Sequence, residues 1–141
     1  SGRCLPAMIA AVTPWPDDEV AGSHRTYLRP DGSGKAGVNP DKMSLGPIAG
    51  GVVRLGPPAP KMAITEGIED GMTIFQETGM SVWAATSAPA MRSIVLPDLP
   101  MAAQVVICSD PDRDGQRAAA AAATVSSMSS HSFWDFRDGV T

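Results

Sequence analysis

A chain of 141 residues that is 43% hydrophobic and 18% charged suits one compact domain with room for a small lobe. Its net charge of −4 argues against a purely electrostatic nucleic-acid binder, although a metal-loaded acidic site still holds phosphates through its cations. Two cysteines and two histidines cannot build a zinc ribbon, and no apolar run reaches the length of a membrane span.

From the N-terminus, where no signal-peptide pattern is visible, Pro6 to Thr13 (PAMIAAVT) predicts a first strand, closed by the breaker-rich Pro14-Trp15-Pro16-Asp17-Asp18. Ala21 to Arg29 predicts a second strand, with His24, Thr26 and Leu28 on one face and Arg25, Tyr27 and Arg29 on the other. Pro30 to Gly34 is turn-forming, Lys35 to Val38 reads as a short returning strand, and Asp41 to Gly46 as a loop or short turn. Gly51 to Leu55 is a further strand before the stiff linker Gly56-Pro57-Pro58-Ala59-Pro60.

Beyond the linker the pattern predicts strand (61–65), helix (68–78), strand (81–86), short helix (near 88–95), strand (104–109), helix (115–127) and an edge strand (132–136). This alternation implies a parallel sheet with right-handed crossovers. The expected fold class is therefore α/β, a Rossmann-type parallel sheet flanked by helices over residues 60–141, carrying a small N-terminal antiparallel β lobe over residues 1–59. Trp83 and Trp134 fall in strands and are expected in the core. Cys4 and Cys108 are expected as reduced thiols of a cytoplasmic protein.

The chemistry concentrates in Gln104 to Gly115, QVVICSDPDRDG. Its apolar run is continuous, as in a parallel strand buried on both faces, and it stops at Asp110, Asp112 and Asp114 in a strand-to-helix turn. Ligands bind at such turns in open α/β sheets. Carboxylates clustered there repel unless a hard cation lies between them, and oxygen-only donors suit Mg²⁺ or Mn²⁺. Glu66 ends the earlier strand Lys61 to Thr65 in an equivalent turn, and Asp70 projects from the following first helical turn toward the same mouth. Arg113 and Arg117 flank the site, binding phosphate or neutralising its acids. Arg25, Tyr27, Arg29, Lys35 and Lys42 form a basic set with one aromatic, suited to a single-stranded nucleic-acid track or to an ordinary solvated face. The spacing of Asp110, Asp112, Asp114 and Gly115 also imitates half of an EF-hand loop, but the twelfth position is Ala121 and a strand precedes it.

TEGIED and SDPDRDGQRAA resemble the two signatures of the Toprim domain found in DNA primases, topoisomerases and related nucleases. Gly after the Glu, an Asp four residues on, and Asp-x-Asp-Arg-x-Gly are most similar to the primase branch. The succession HRTYL, DGSGKA, Lys-x-x-Leu-Gly and EGIE between His24 and Glu69 resembles phage- or plasmid-type primases and primase–helicases. The resemblance implies catalytic Glu66, Asp110 and Asp112, Mg²⁺ or Mn²⁺ held also by Asp70 and Asp114, and primer RNA synthesis. Its implied partners are a single-stranded DNA template, ribonucleotides and a fused or separate helicase, with no membrane. The family pattern commonly has a small residue where Asp114 stands, and further acidic residues where only Asp135 and Asp138 follow the last strand. Two other readings stay open: a nuclease or topoisomerase-like cleavage domain, for which Tyr27 is the one available tyrosine, and a non-catalytic nucleic-acid-binding module.

Overall fold

The computed structural model describes residues 4–109 and 132–135, the last four by their backbone path. The elements are β1 (Ala7–Pro14), β2 (Gly22–Tyr27), β3 (Lys42–Leu45), β4 (Gly51–Leu55), β5 (Lys61–Thr65), α1 (Ile68–Thr78), β6 (Ser81–Ala84), α2 (Ala88–Met91), β7 (Gln104–Cys108) and β8 (Ser132–Asp135). They form one sheet in the order β3-β2-β1-β4-β6-β5-β7-β8. The first four strands pair antiparallel, and β6, β5, β7 and β8 run parallel. β4 joins the two halves by pairing antiparallel with β6, from Val53↔Ala84 to Leu55↔Val82. The sheet is thus continuous across the proline-rich segment 56–60.

Burial explains why the central strands read as unbroken apolar runs. Every residue of β6 is buried, as are Met62 to Thr65 of β5, because helices cover both faces. On one face Met62, Ile64, Trp83, Val105 and Ile107 pack with Met91 of α2. On the other, Val12, Val53 and Ala84 pack with Ile68 of α1. α1 approaches so closely that a Cβ on its Gly71 would lie 2.9 Å from Thr65 Oγ1 and 3.2 Å from Leu55 Cδ1. Gly79, at φ +66, ends the helix in the left-handed conformation and donates its N–H to the Phe75 carbonyl at 2.9 Å.

The N-terminal lobe departs from expectation twice. Lys42–Leu45, read as part of a loop, is an edge strand paired with β2 from Thr26↔Lys42 to Ser23↔Leu45. Four residues are too few to show a period, and the pairing comes from β2 rather than from local propensity. Lys35 to Val38, read as a strand, makes a single bridge, Leu28↔Lys35, since Gly34 (φ +155) and Gly37 (φ +71) interrupt an extended path. α2 is also shorter than expected, stopping at Met91. The alternation along β2 is as read: His24 and Thr26 are buried and Arg25 and Tyr27 half-buried. β8 lies at the sheet edge, and Trp83 is fully buried. Cys4 is exposed and Cys108 partly buried. The helix expected at 115–127 lies outside the described residues, as do Asp110, Asp112, Arg113, Asp114 and Arg117. Among the described residues no helix is long and apolar enough to cross a membrane.

Candidate functional site

The turn between β5 and α1 is built around Glu66. Thr65, fully buried, donates its hydroxyl to the Gly67 carbonyl at 2.8 Å, and the same carbonyl accepts the Gly71 N–H at 3.2 Å. Gly67 is the extended N-cap of α1, and a Cβ there would lie 3.3 Å from Asp70 Oδ2 and 3.6 Å from Glu69 Oε2. Two carboxylates of the first helical turn therefore fold back over Gly67, next in chain to Glu66. The positive end of the helix dipole favours their negative charge.

These acids form one wall of a cavity of about 280 Å³. Glu66, Gly67, Glu69 and Asp70 line it from the parallel half, Lys35 and Lys42 from the N-terminal lobe, and Thr86 from the loop after β6. Lys42 Nζ lies 3.3 Å from Glu69 Oε2, with both side chains partly open to solvent. Burial pushes the Glu69 carboxyl up, but its own backbone N–H and the Lys42 and Lys35 charges outweigh this and hold it below the usual carboxylate range. Beneath Lys42, His24 is buried on β2, its Nδ1 2.9 Å from Ser44 Oγ. Burial, followed by the Lys42 charge, lowers the His24 pKa, while Glu69 pulls it upward. Thr86 stands at φ +73, an unfavourable conformation for a β-branched residue and a form of strain that clusters at functional sites.

The structure thus brings together Glu66, Asp70, Lys35 and Lys42. It separates them from Tyr27 and Arg29, which line a second cavity with Met43 on the other side of segment 35–43. Arg25 shares the Tyr27 face of β2, opposite to His24 and Thr26. Asp110, Asp112, Asp114 and Arg117 follow β7, whose Cys108 pairs in register with Thr65, so the chain leaves β7 at the edge that carries Glu66. Cys108 and Asp70 line one small cavity at this edge. Glu69 and Thr86 were not singled out from sequence. Glu69 had a visible signal, an acid in the first helical turn, whereas nothing in its residue type marks Thr86 as left-handed.

The side chains facing Gly67 offer oxygen donors, and glycine leaves open the space a Cβ would take. That chemistry fits a hard divalent cation. Among the described residues no group of three metal-ligating side chains is assembled.

Residues 61–130 match the family model described as the Toprim domain, and residues 1–55 match one described as a domain of unknown function (DUF7146). Toprim domains generally bind divalent metal ions. No curated protein matches the chain. Among solved structures, the primase fragment of the bacteriophage T7 primase–helicase protein is similar in fold, with a TM-score of 0.58 at 17% identity. The match covers 86% of this chain and 50% of that one, so the chain spans half the length of that fragment.

Proposed function

Residues 61–130 are a Toprim domain within a primase-like fold, and from that premise we propose that the chain carries out metal-dependent nucleotidyl transfer, making primer RNA on single-stranded DNA. One observation carries the reading. Lys35 and Lys42 face Glu66 and Asp70 across a single cavity, so groups that hold phosphate stand opposite groups that hold cations.

Glu66, Asp110 and Asp112 would hold Mg²⁺ or Mn²⁺, with Asp70 and Asp114 as further oxygen donors. When bound, the cation supplies charge neutralisation at the leaving pyrophosphate and a lowered pKa at the attacking 3′-hydroxyl. A Glu66 carboxylate oxygen accepts the proton of that hydroxyl. Lys35 and Lys42 orient the triphosphate, helped by Arg117. The Lys42–Glu69 pair is weak because it is solvent-exposed, so a phosphate oxygen displaces the Glu69 carboxylate at little cost. Arg25, Tyr27 and Arg29 contact the template strand. The partners are single-stranded DNA, ribonucleotides and a fused or separate helicase in the cytoplasm. In the topoisomerase-like reading covalent cleavage would need a tyrosine from another domain, since Tyr27, the one tyrosine of this sequence, lines the other cavity.

The test combines circular single-stranded DNA, labelled ribonucleotides and Mn²⁺, read for label incorporated and for circles nicked, beside Glu66→Gln and Asp112→Asn. Incorporation by the parent chain and its loss in both variants is the expected result. Metal-dependent nicking without incorporation would replace the reading with a nuclease, and the absence of both activities would leave a binding module.

A further inference from the structure

Segment 35–43 has two working sides. Lys35 and Lys42 line the acidic mouth, whereas their chain neighbours Ala36 and Met43 line a separate cavity of about 470 Å³. Successive residues of an extended chain point to opposite sides, and the hydrogen bonds from Tyr27 N–H to the Asp41 carbonyl (2.9 Å) and from Ala36 N–H to the Tyr27 carbonyl (2.8 Å) fix the segment. The second cavity is within the size range of small-ligand sites.

Its walls are chemically mixed in a specific way. Tyr27, Pro30, Val38 and Met43 give an apolar surface with one aromatic ring, and the Tyr27 hydroxyl is 3.7 Å from Met43 Sδ. Asn39 adds an amide that both donates and accepts. Arg29 stands at the rim, exposed and, among the described residues, outside ion-pair distance of any carboxylate. Outside the cavity lining, Arg25, two residues before Tyr27 on the same face of β2, likewise has no carboxylate partner among them, and its Nε is buried without a hydrogen-bond partner. An apolar, aromatic hollow with the uncompensated Arg29 guanidinium in its wall is complementary to a ligand with a flat apolar face and a negative charge. A nucleotide of a single strand has both. A base held in a duplex has its faces covered by its neighbours.

We propose that this cavity is a pocket for one unpaired nucleobase of a single-stranded nucleic acid, whose adjoining phosphates cross segment 35–43 toward Lys35 and Lys42. The strand's role as template rests on the nucleotidyl-transfer reading; the pocket does not. Tyr27 supplies the stacking face, Arg29 the charge, and Asn39 a hydrogen bond to the base edge.

The test measures equilibrium binding by fluorescence anisotropy on the full chain in EDTA. The probes are a labelled oligothymidine, a phosphodiester oligomer of equal length lacking bases, and a blunt duplex. Oligothymidine should bind most tightly, and Tyr27→Ala should weaken it about tenfold or more, while Tyr27→Phe retains it. The baseless oligomer should bind the parent chain and Tyr27→Ala alike. If Tyr27→Ala does not fold, Val38→Asp, at an exposed wall position, should give the same loss. Equal affinity for oligothymidine and the baseless oligomer, or unchanged binding by the folded variant, would overturn the pocket; an apolar peptide would then be the occupant to seek. Incorporation with no base-dependent binding would sink the pocket alone. Base-dependent binding with no incorporation would sink the catalytic reading alone.

Discussion

Gly71→Ala tests the packing that holds the Glu66 turn. In an open helix this change is stabilising by about 1 kcal/mol, because alanine is the better helix former. Here the added methyl would sit 2.9 Å from Thr65 Oγ1, 3.2 Å from Leu55 Cδ1 and 3.3 Å from Val82 Cγ1. Thr65 and Val82 are fully buried, so neither has room to retreat. Overpacking a filled site costs about 1–3 kcal/mol, and moving Thr65 adds about 1 kcal/mol through its 2.8 Å hydrogen bond to the Gly67 carbonyl. The net expectation is a loss of about 1–3 kcal/mol, or about 3–10 °C in thermal midpoint by circular dichroism. Thr65→Ala alone also destabilises, by deleting that bond. The double variant should nonetheless be less destabilised than the sum of the singles, since the second change removes the atom with which the first collides. A Gly71→Ala midpoint at or above that of the parent chain would refute the close-contact reasoning.

Lys42→Ala should change stability by less than about 1 kcal/mol, because its ion pair with Glu69 is partly exposed, while raising KM for ribonucleotide. An unchanged KM would remove Lys42 from phosphate binding. Arg54→Lys should cost about 2–3 kcal/mol by denaturant titration, as lysine cannot keep the fork of Nη1 to Asp18 (2.8 Å) and Nη2 to the Pro14 and Asp17 carbonyls (2.6 and 2.7 Å). It also loses the planar contact with Trp15 and Trp83, whose ring centroids lie 5.3 and 5.0 Å from the guanidinium carbon. For His24 the folded pKa lies below the ordinary 6.5, so the unfolded chain takes up the proton first. Its contribution to stability is complete above that value and is lost as pH falls through the folded pKa. His24→Gln should flatten the pH dependence of the urea midpoint over this acidic range, and an unaltered slope would show that His24 is not its source.

The parallel half was legible because its signals are local. The run Met62 to Thr65 is apolar and stops at Glu66-Gly67, and the α1 pattern ends at Gly79, so the bounds of β5 and α1 are those read from sequence. β3 was not legible, because a four-residue edge strand owes its conformation to the partner beside it. Glu66, Asp70, Lys35 and Lys42 could each be named from sequence, yet residue type says nothing of the face on which a side chain lands. Lys42 projects to the mouth and its neighbour Met43 to the second cavity, which divides the basic set in two. Arg54 was hidden by its surroundings. In the run GVVRL an arginine reads as a solvent-facing interruption, whereas in the fold its side chain is only 14% exposed and covers two indoles.

Arg54 also explains how two differently built halves make one mouth. Lys42 belongs to the antiparallel strands and Glu66 to the parallel ones, so their separation depends on how β1 meets β4. That junction is short, with only Thr13↔Val52 and Pro14↔Gly51 in register. Two pairs are a weak hinge by themselves. Arg54, on β4, binds the Pro14 carbonyl at the end of β1 and the Asp17 carbonyl beyond it, while its guanidinium lies against Trp15 and against Trp83 of β6. The Trp15 and Trp83 rings are themselves 5.7 Å apart, centroid to centroid. One side chain thus ties the last residues of β1 to β4 and to β6, the parallel strand beside β4, on the face away from α1. A cavity whose cationic and anionic walls come from opposite sides of the junction keeps its width only if the junction is stiff. Loosening it should therefore weaken binding that needs Lys35, Lys42 and Glu66 together before it weakens binding to either wall alone.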